Sequence, residues 1–175
     1  MPHSLRTDRL LLRPLRLRDA GDLSAAVNDW GVVKETATWG YPQAAERVRD
    51  RIRLILSGDP YEDCVFAIVA GGAVIGIVGL HRRRDRTFGL GYMIGRAWWG
   101  SGYVTEAVRA VCRFGFAGLR AERIEADVFQ DNPASSRVLL KTGFRFAGDP
   151  GPGWSAVRLA NFPRWAYGLR KEHLR

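Results

Sequence analysis

The stretch Gly91-Tyr92-Met93-Ile94-Gly95-Arg96-Ala97-Trp98-Trp99-Gly100-Ser101-Gly102-Tyr103-Val104-Thr105-Glu106-Ala107 decides the fold of this chain. A short β-type run ends in a loop with two closely spaced glycines, and the loop opens directly into an amphipathic helix. The first turn of a helix carries unpaired N–H groups and the positive end of the dipole, so such a loop can hold an anion. Gly100 and Gly102 have no side chains to keep a bulky phosphate from the main chain. The predicted ligand is a phosphorylated cofactor. Two familiar phosphate loops are excluded. No Gly-Lys-Ser/Thr follows a glycine at Walker spacing, and Thr105 stands where a dinucleotide fingerprint needs its third glycine.

A second segment works with the first. Asn132-Pro133-Ala134-Ser135-Ser136-Arg137-Val138-Leu139-Leu140-Lys141-Thr142-Gly143-Phe144 follows the strand-like run Ile124–Phe129. The order strand, Gly-x-Gly loop, helix, strand, Asn-x-x-Ser, short helix, Gly-Phe resembles the GCN5-related N-acetyltransferase (GNAT) superfamily. The wording Gly-Tyr-x-Thr-Glu-Ala and Asn-x-x-Ser…Gly-Phe is similar to the branch that acetylates N-terminal residues of ribosomal proteins. The opening Thr7-Asp8-Arg9-Leu10-Leu11-Leu12-Arg13-Pro14-Leu15 resembles that branch too, and the resemblance runs over roughly residues 7 to 172.

The resemblance implies an α/β (α+β) fold: one domain over residues 1–175, with a mixed central sheet flanked by helices and a splayed parallel strand pair. It implies transfer of acetyl from acetyl-CoA directly to a primary amine, either a protein N-terminal α-amine or a small molecule. The rival reading is a non-catalytic CoA-binding or nucleic-acid-associated module. In the family the acyl-CoA arm lies between the splayed strands and pairs with exposed backbone groups, which by position are those of Met93 and Ile94. The pyrophosphate then falls on the N–H groups of Gly100, Ser101, Gly102, Tyr103 and Val104. The Gln or Arg that usually begins this loop is Ala97 here. Backbone N–H near Met93–Gly95 is expected to polarise the thioester carbonyl.

The same resemblance implies a CoA contact for Asn132, which is also an ordinary helix cap, and a phosphate contact for Arg137. Many relatives protonate the departing thiolate with a tyrosine at the position of Leu139; the ribosomal-protein branch points to Ser135 instead. Ser135 also reads as a first-turn serine satisfying local backbone. Glu106, Asp149 and His81 are the candidate bases, with a bound water as the alternative. Trp39 and Trp154, in loop-like contexts, are the candidate pocket aromatics, with His81 at a strand end beside them.

Length and composition are those of a globular chain: 175 residues, 46% hydrophobic and 26% charged. Cys64 and Cys112 are far apart and in apolar contexts, which predicts reduced core residues and a cytoplasmic location. His3, His81 and His173 are scattered, so no metal site is predicted. Charges from Arg6 onward predict that residues at the start of the sequence do not form a signal peptide. The uncharged run Cys64–Leu80 is split by Gly71-Gly72 into two β-branched halves, which predicts a buried hairpin and no membrane span. The net charge of +9 comes almost wholly from arginine, and no nucleic-acid module accompanies it. Arg82-Arg83-Arg84-Asp85-Arg86 reads as a solvated turn. Oligomeric state is left open, a dimer included.

Periodicity supplies the remaining elements. A strand is expected at Leu10–Leu15, a helix opened by Asp19 or a neighbour as its cap and running to about Asn28, and another from about Gln43 to Ser57 with Val48, Ile52, Ile55 and Leu56 as its core stripe. A strand at Phe88–Ile94 and a helix at Tyr103–Phe116 come next. Ile124–Phe129 should return parallel to Phe88–Ile94, because a helical crossover joins them. Asn132-Pro133 opens a short helix ended by Gly143, Phe144–Ala147 resumes as a strand, Gly148–Gly153 forms a mobile loop, and Trp165–Leu169 makes the last strand.

Overall fold

The computed structural model describes residues 3–175. Its strands are β1 (Leu5–Arg6), β2 (Leu11–Pro14), β3 (Asp63–Ala70), β4 (Ala73–Arg84), β5 (Thr87–Ile94), β6 (Arg123–Phe129), β7 (Arg145–Gly148), β8 (Gly153–Ser155), β9 (Ala160–Phe162) and β10 (Arg164–Leu169). Eight of them form one sheet in the order β1-β2-β3-β4-β5-β6-β10-β7, while β8 and β9 pair as a separate ribbon. Every pairing is antiparallel except β5 with β6. The helices are α1 (Ala20–Val27), α2 (Trp30–Val33), α3 (Ala45–Ser57), α4 (Tyr103–Ala117) and α5 (Pro133–Lys141).

The run Cys64–Leu80 forms the β3–β4 hairpin, and it reads as almost continuously apolar because both faces of this part of the sheet are covered. Phe66, Ile68, Ile75, Val78 and Leu80 pack towards α4, while Ala67, Val69, Val74 and Ile77 pack with α1 and α3. Helix α4 buries Ala107, Val108, Val111, Cys112, Gly115 and Phe116 at helical spacing. A Cβ on Gly115 would stand 2.6 Å from Leu80 Cδ1, so this glycine sets how closely α4 lies on the sheet. No helix is long and apolar enough to cross a membrane among the described residues.

Several local expectations need correction. The short strand β1, the four-residue helix α2 and the β8–β9 ribbon have no counterpart among the expected elements. The ribbon begins at Gly153, the last residue of the expected mobile loop, and runs on to Phe162. In α3, Val48 and Ile52 are buried and Ile55 is partly so, but Leu56 is 47% exposed. Eight residues on from Val48, the stripe has drifted off the sheet. Asp19 does not cap α1 with its side chain. Its carboxylate is buried and takes two hydrogen bonds from Arg13 (2.7 and 2.8 Å) and one from the Arg16 N–H.

The arginine run at residues 82–86 is more than a solvated turn. Arg82 pairs with Glu62, Arg83 with Glu125 and Asp127, Arg84 with Glu125, and Arg86 with Glu122. The last three tie the β4–β5 hairpin to β6 and the turn before it, at the end where β5 and β6 are joined.

Candidate active site

Strands β5 and β6 are in register at only three positions: Thr87 with Arg123, Phe88 with Ile124 and Gly89 with Glu125. Beyond Gly89, β5 stays paired with β4 through Ile94 but leaves β6, which stays paired with β10 through Phe129. The sheet therefore opens along the inner edges of its two central strands. A cavity of about 460 Å³ lies there, of a size suited to a small-molecule ligand. Tyr92, Met93 and Ile94 form its β5 wall, and Asn132, Ser135 and Val138 of the α5 segment line it as well. Met93 and Ile94 are also buried in opposite cores, so backbone exposure and side-chain packing coexist. Not every backbone group is free. The Ile94 carbonyl accepts the Trp99 indole N–H at 3.0 Å, and the Gly95 N–H donates to the Ile75 carbonyl at 2.9 Å. Gly95 is thereby removed from the donors expected to polarise a thioester.

The glycine loop closes one end of the cavity. Gly100 and Gly102 both have left-handed backbones (φ 76° and 81°), and Gly102 is the N-cap of α4. Among the described residues, the N–H groups of Gly100 to Val104 meet no backbone or side-chain acceptor. They are the orphan donors that an anion could satisfy. Arg137 and Lys141 line the same cavity and add positive charge. Arg96, next to the missing Gln or Arg of the family loop, is committed elsewhere. Its guanidinium forms a bidentate pair with Asp29 (2.7 and 2.7 Å), tying the loop to the N-terminus of α2.

Ser135 sits where two elements meet. Asn132 caps α5 by accepting the Ser135 N–H at 3.0 Å, with Pro133 in the first turn. The Ser135 hydroxyl lies 2.5 Å from the Tyr92 hydroxyl, which also reaches the Ser135 carbonyl at 3.2 Å. Burial pushes the Tyr92 phenol above its ordinary range, against the opposing pull of the Ser135 bond. The two residues are far apart in sequence, and no sequence signal points to Tyr92.

The other predicted residues lie outside this cavity. Glu106 accepts hydrogen bonds from the Thr7 hydroxyl (2.5 Å), the Arg9 N–H (2.9 Å) and the Arg9 guanidinium (2.7 Å). Arg9 also donates to the Ser101 carbonyl at 2.8 Å and lies over the Tyr103 ring. Glu106 is thus the anchor of a brace behind the glycine loop, not a free base. Asp149 accepts the Gly151 N–H at 2.7 Å in a local turn and is exposed. His81 pairs with Asp63 across β3 and β4. Trp39 is 6% exposed, packed in the core with Arg51 over its ring. Trp154 is half exposed on the β8–β9 ribbon. The aromatics on the cavity wall are Tyr92, Trp98, Trp99 and Tyr103. The ribbon still reaches the rim: Ala156 donates its N–H to the Ala37 carbonyl, and Arg158 pairs with Asp131 at 2.6 Å.

The brace has a pH signature. Burial disfavours the Glu106 charge, but the hydrogen bonds from Thr7 and Arg9 and the Arg9 charge outweigh it, holding the carboxyl below its usual range. A depressed carboxylate stabilises the fold above its unfolded pKa and loses that contribution as pH falls through the folded value. Glu106→Gln is therefore expected to cost about 1 kcal/mol at pH 7, discounted for partial exposure. The difference in denaturation midpoint from wild type should shrink below about pH 4. A difference that stays constant from pH 7 to pH 3 would show that the Glu106 charge does not stabilise the brace.

A cleft with free strand edge along one side and a helix N-terminus at its end suits a ligand with an amide-rich arm and a phosphate tail. Acyl-CoA is such a ligand, and the geometry defines an acyl-CoA-dependent transferase. The family model described as Acetyltransferase (GNAT) domain matches residues 9–145, and the chain belongs to that family. It is an acetyl-CoA-dependent N-acetyltransferase. It is 32% identical over 152 residues to an uncharacterized N-acetyltransferase, YoaA of Bacillus subtilis (strain 168), covering 82% of this chain and 84% of YoaA. Its fold is similar to the Microcin C7 self immunity acetyltransferase MccE, solved with acetyl-CoA and AMP, at 19% identity and TM-score 0.85 over 97% of each chain. It is also similar to Mycobacterium smegmatis RimJ, solved with CoA-disulfide, at 21% identity and TM-score 0.81 over 97% of this chain and 86% of RimJ.

Proposed function

We propose that this enzyme acetylates the α-amine of a protein or peptide N-terminus by direct transfer within a ternary complex. The observation that carries the reading is the Asn-x-x-Ser geometry: Asn132 caps the helix, and Ser135 presents a hydroxyl hydrogen-bonded to Tyr92 at the cavity wall. In this reading the pantetheine arm lies along the free edge of β5 at Met93 and Ile94. The pyrophosphate sits on the N–H groups of Gly100, Ser101, Gly102, Tyr103 and Val104, with Arg137 and Asn132 contacting the cofactor.

The neutral amine attacks the thioester carbon; a C–N bond forms and the C–S bond breaks. The nitrogen releases one proton to solvent as the amide forms; the sulfur takes the Ser135 hydroxyl proton, which Tyr92 replaces and solvent restores, so that no serine alkoxide accumulates. Glu106 and Asp149 have no part in the proton transfer.

The test measures thiol release from acetyl-CoA with short peptides bearing a free α-amine, their N-acetylated counterparts, and polyamines. Release is expected with at least one free-amine peptide and more slowly with polyamines, because Arg137 and Lys141 line the cavity and like charges repel. Raising ionic strength should increase KM for acidic peptides if steering contributes. Polyamines turning over faster than every peptide would move the acceptor class to small amines.

A further inference from the structure

One carboxylate on the cavity wall has a buried oxygen without a hydrogen-bond partner. Glu35 lies just beyond α2 and lines the cavity together with Val32 and Thr36, at the part of the wall furthest in sequence from the glycine loop. Its Oε1 is 3.2 Å from the ammonium of its chain neighbour Lys34. Its Oε2 is buried and has no hydrogen-bond partner. A carboxylate accepts bonds at both oxygens, and a buried oxygen left unpaired carries a desolvation cost that an arriving donor removes. The other carboxylate on the wall, Asp131, is already paired with Arg158.

We infer that Glu35 is the acceptor-amine site: its carboxylate binds a primary ammonium group and takes the proton that frees the amine for attack. This deepens the proposed function and rests on it. An amine with the pKa of an α-amino group, about 7.7–8.0, arrives largely as the ammonium near pH 7 and is not nucleophilic until it loses a proton. Glu35 takes that proton. The neutral nitrogen then forms the C–N bond as the C–S bond breaks. The second proton lost by nitrogen balances the one gained by sulfur. The overall change is ammonium plus thioester to amide plus thiol plus one proton, and that proton leaves from Glu35 to solvent.

With Lys34 on its Oε1 and only Oε2 without a partner, Glu35 has room for one ammonium head, and Arg137 and Lys141 on the lining of the same cavity disfavour a polycation. The acceptor class is a monovalent primary ammonium, of which a peptide N-terminus is one form.

The experiment uses the full chain and a panel of dipeptide amides with free α-amines. Wild type and Glu35→Gln are compared in thiol release and in ligand-observed saturation transfer on the CoA-loaded protein. Glu35→Gln should lower kcat/KM about tenfold and weaken the saturation-transfer signal of the best peptide. CoA affinity by calorimetry should stay within twofold, which shows that the cofactor site is folded. Glu35→Asp should recover part of the loss. Peptide binding and kcat/KM unchanged in Glu35→Gln would overturn the assignment while leaving the acetyltransferase reading intact. A parallel fall in CoA affinity would overturn it too, by making Glu35 a structural or cofactor residue. If wild type releases no thiol with any peptide, the proposed acceptor fails, and the binding comparison still decides Glu35. Loss of signal in Glu35→Gln supports it; an equal signal, or no peptide binding at all, overturns it.

Discussion

Replacing Ser135 with alanine lowers kcat about a hundredfold, the usual scale for loss of general acid help, while acetyl-CoA affinity changes little. The split comes from where the hydroxyl sits. Asn132 caps α5 through the Ser135 backbone N–H, and alanine keeps that N–H. Only the Oγ is lost, and with it the 2.5 Å bond to Tyr92. An interaction made only in the transition state lowers kcat and kcat/KM together. Tyr92→Phe separates the two hydroxyls. It removes the supply of a replacement proton but leaves the Ser135 O–H, so its kcat should fall by a smaller factor. Pre-steady-state kinetics must show chemistry to be rate-limiting in each variant. Ser135→Ala with nearly full kcat under that condition would return the residue to its role at the helix start.

The glycine loop supports the second large effect. Gly102→Val should weaken CoA binding at least thirtyfold, about 2 kcal/mol. Two costs add. Gly102 has a φ of 81°, where a β-branched residue is strained. Its side chain would also enter the space beside the open N–H groups, with the Arg9 guanidinium 3.4 Å from the new Cβ. The strain alone would appear as a lower Tm, so calorimetric CoA titration must accompany thermal denaturation. Wild-type CoA affinity in a folded Gly102→Val protein would place the phosphates elsewhere.

What the chain discloses from its sequence is what is encoded locally. The β5–loop–α4 unit is legible because a glycine pair, a helix start and an apolar stripe lie within one short run. Asn132-Pro133 marks the start of α5 for the same reason. Pairings between distant segments are not legible. Tyr92 and Ser135 stand 43 residues apart, and Arg9 and Glu106 stand 97 apart; neither spacing has a period to detect. First-turn position makes Glu106 look like a free acid, although its partners, Thr7 and Arg9, come from the turn between β1 and β2. Trp39 looks exposed because its neighbours read as a loop, yet the side chain turns into the core beneath Arg51. Helix α2 is four residues long, too short for an apolar repeat, and so Glu35 beyond it carries no sign of its position.

The parting of β5 and β6 after three residue pairs leaves the sheet with an open seam at its centre. A ligand whose amides bridge that seam becomes a structural member of the fold as well as a reactant. Its binding energy then adds to the stability of the native state, by about 2.7 kcal/mol at a hundredfold excess over Kd. Loop amides at Gly100–Val104 and the inner edge of β5 should be the groups whose hydrogen exchange slows most. The durability of this enzyme would then follow the supply of its own acyl carrier.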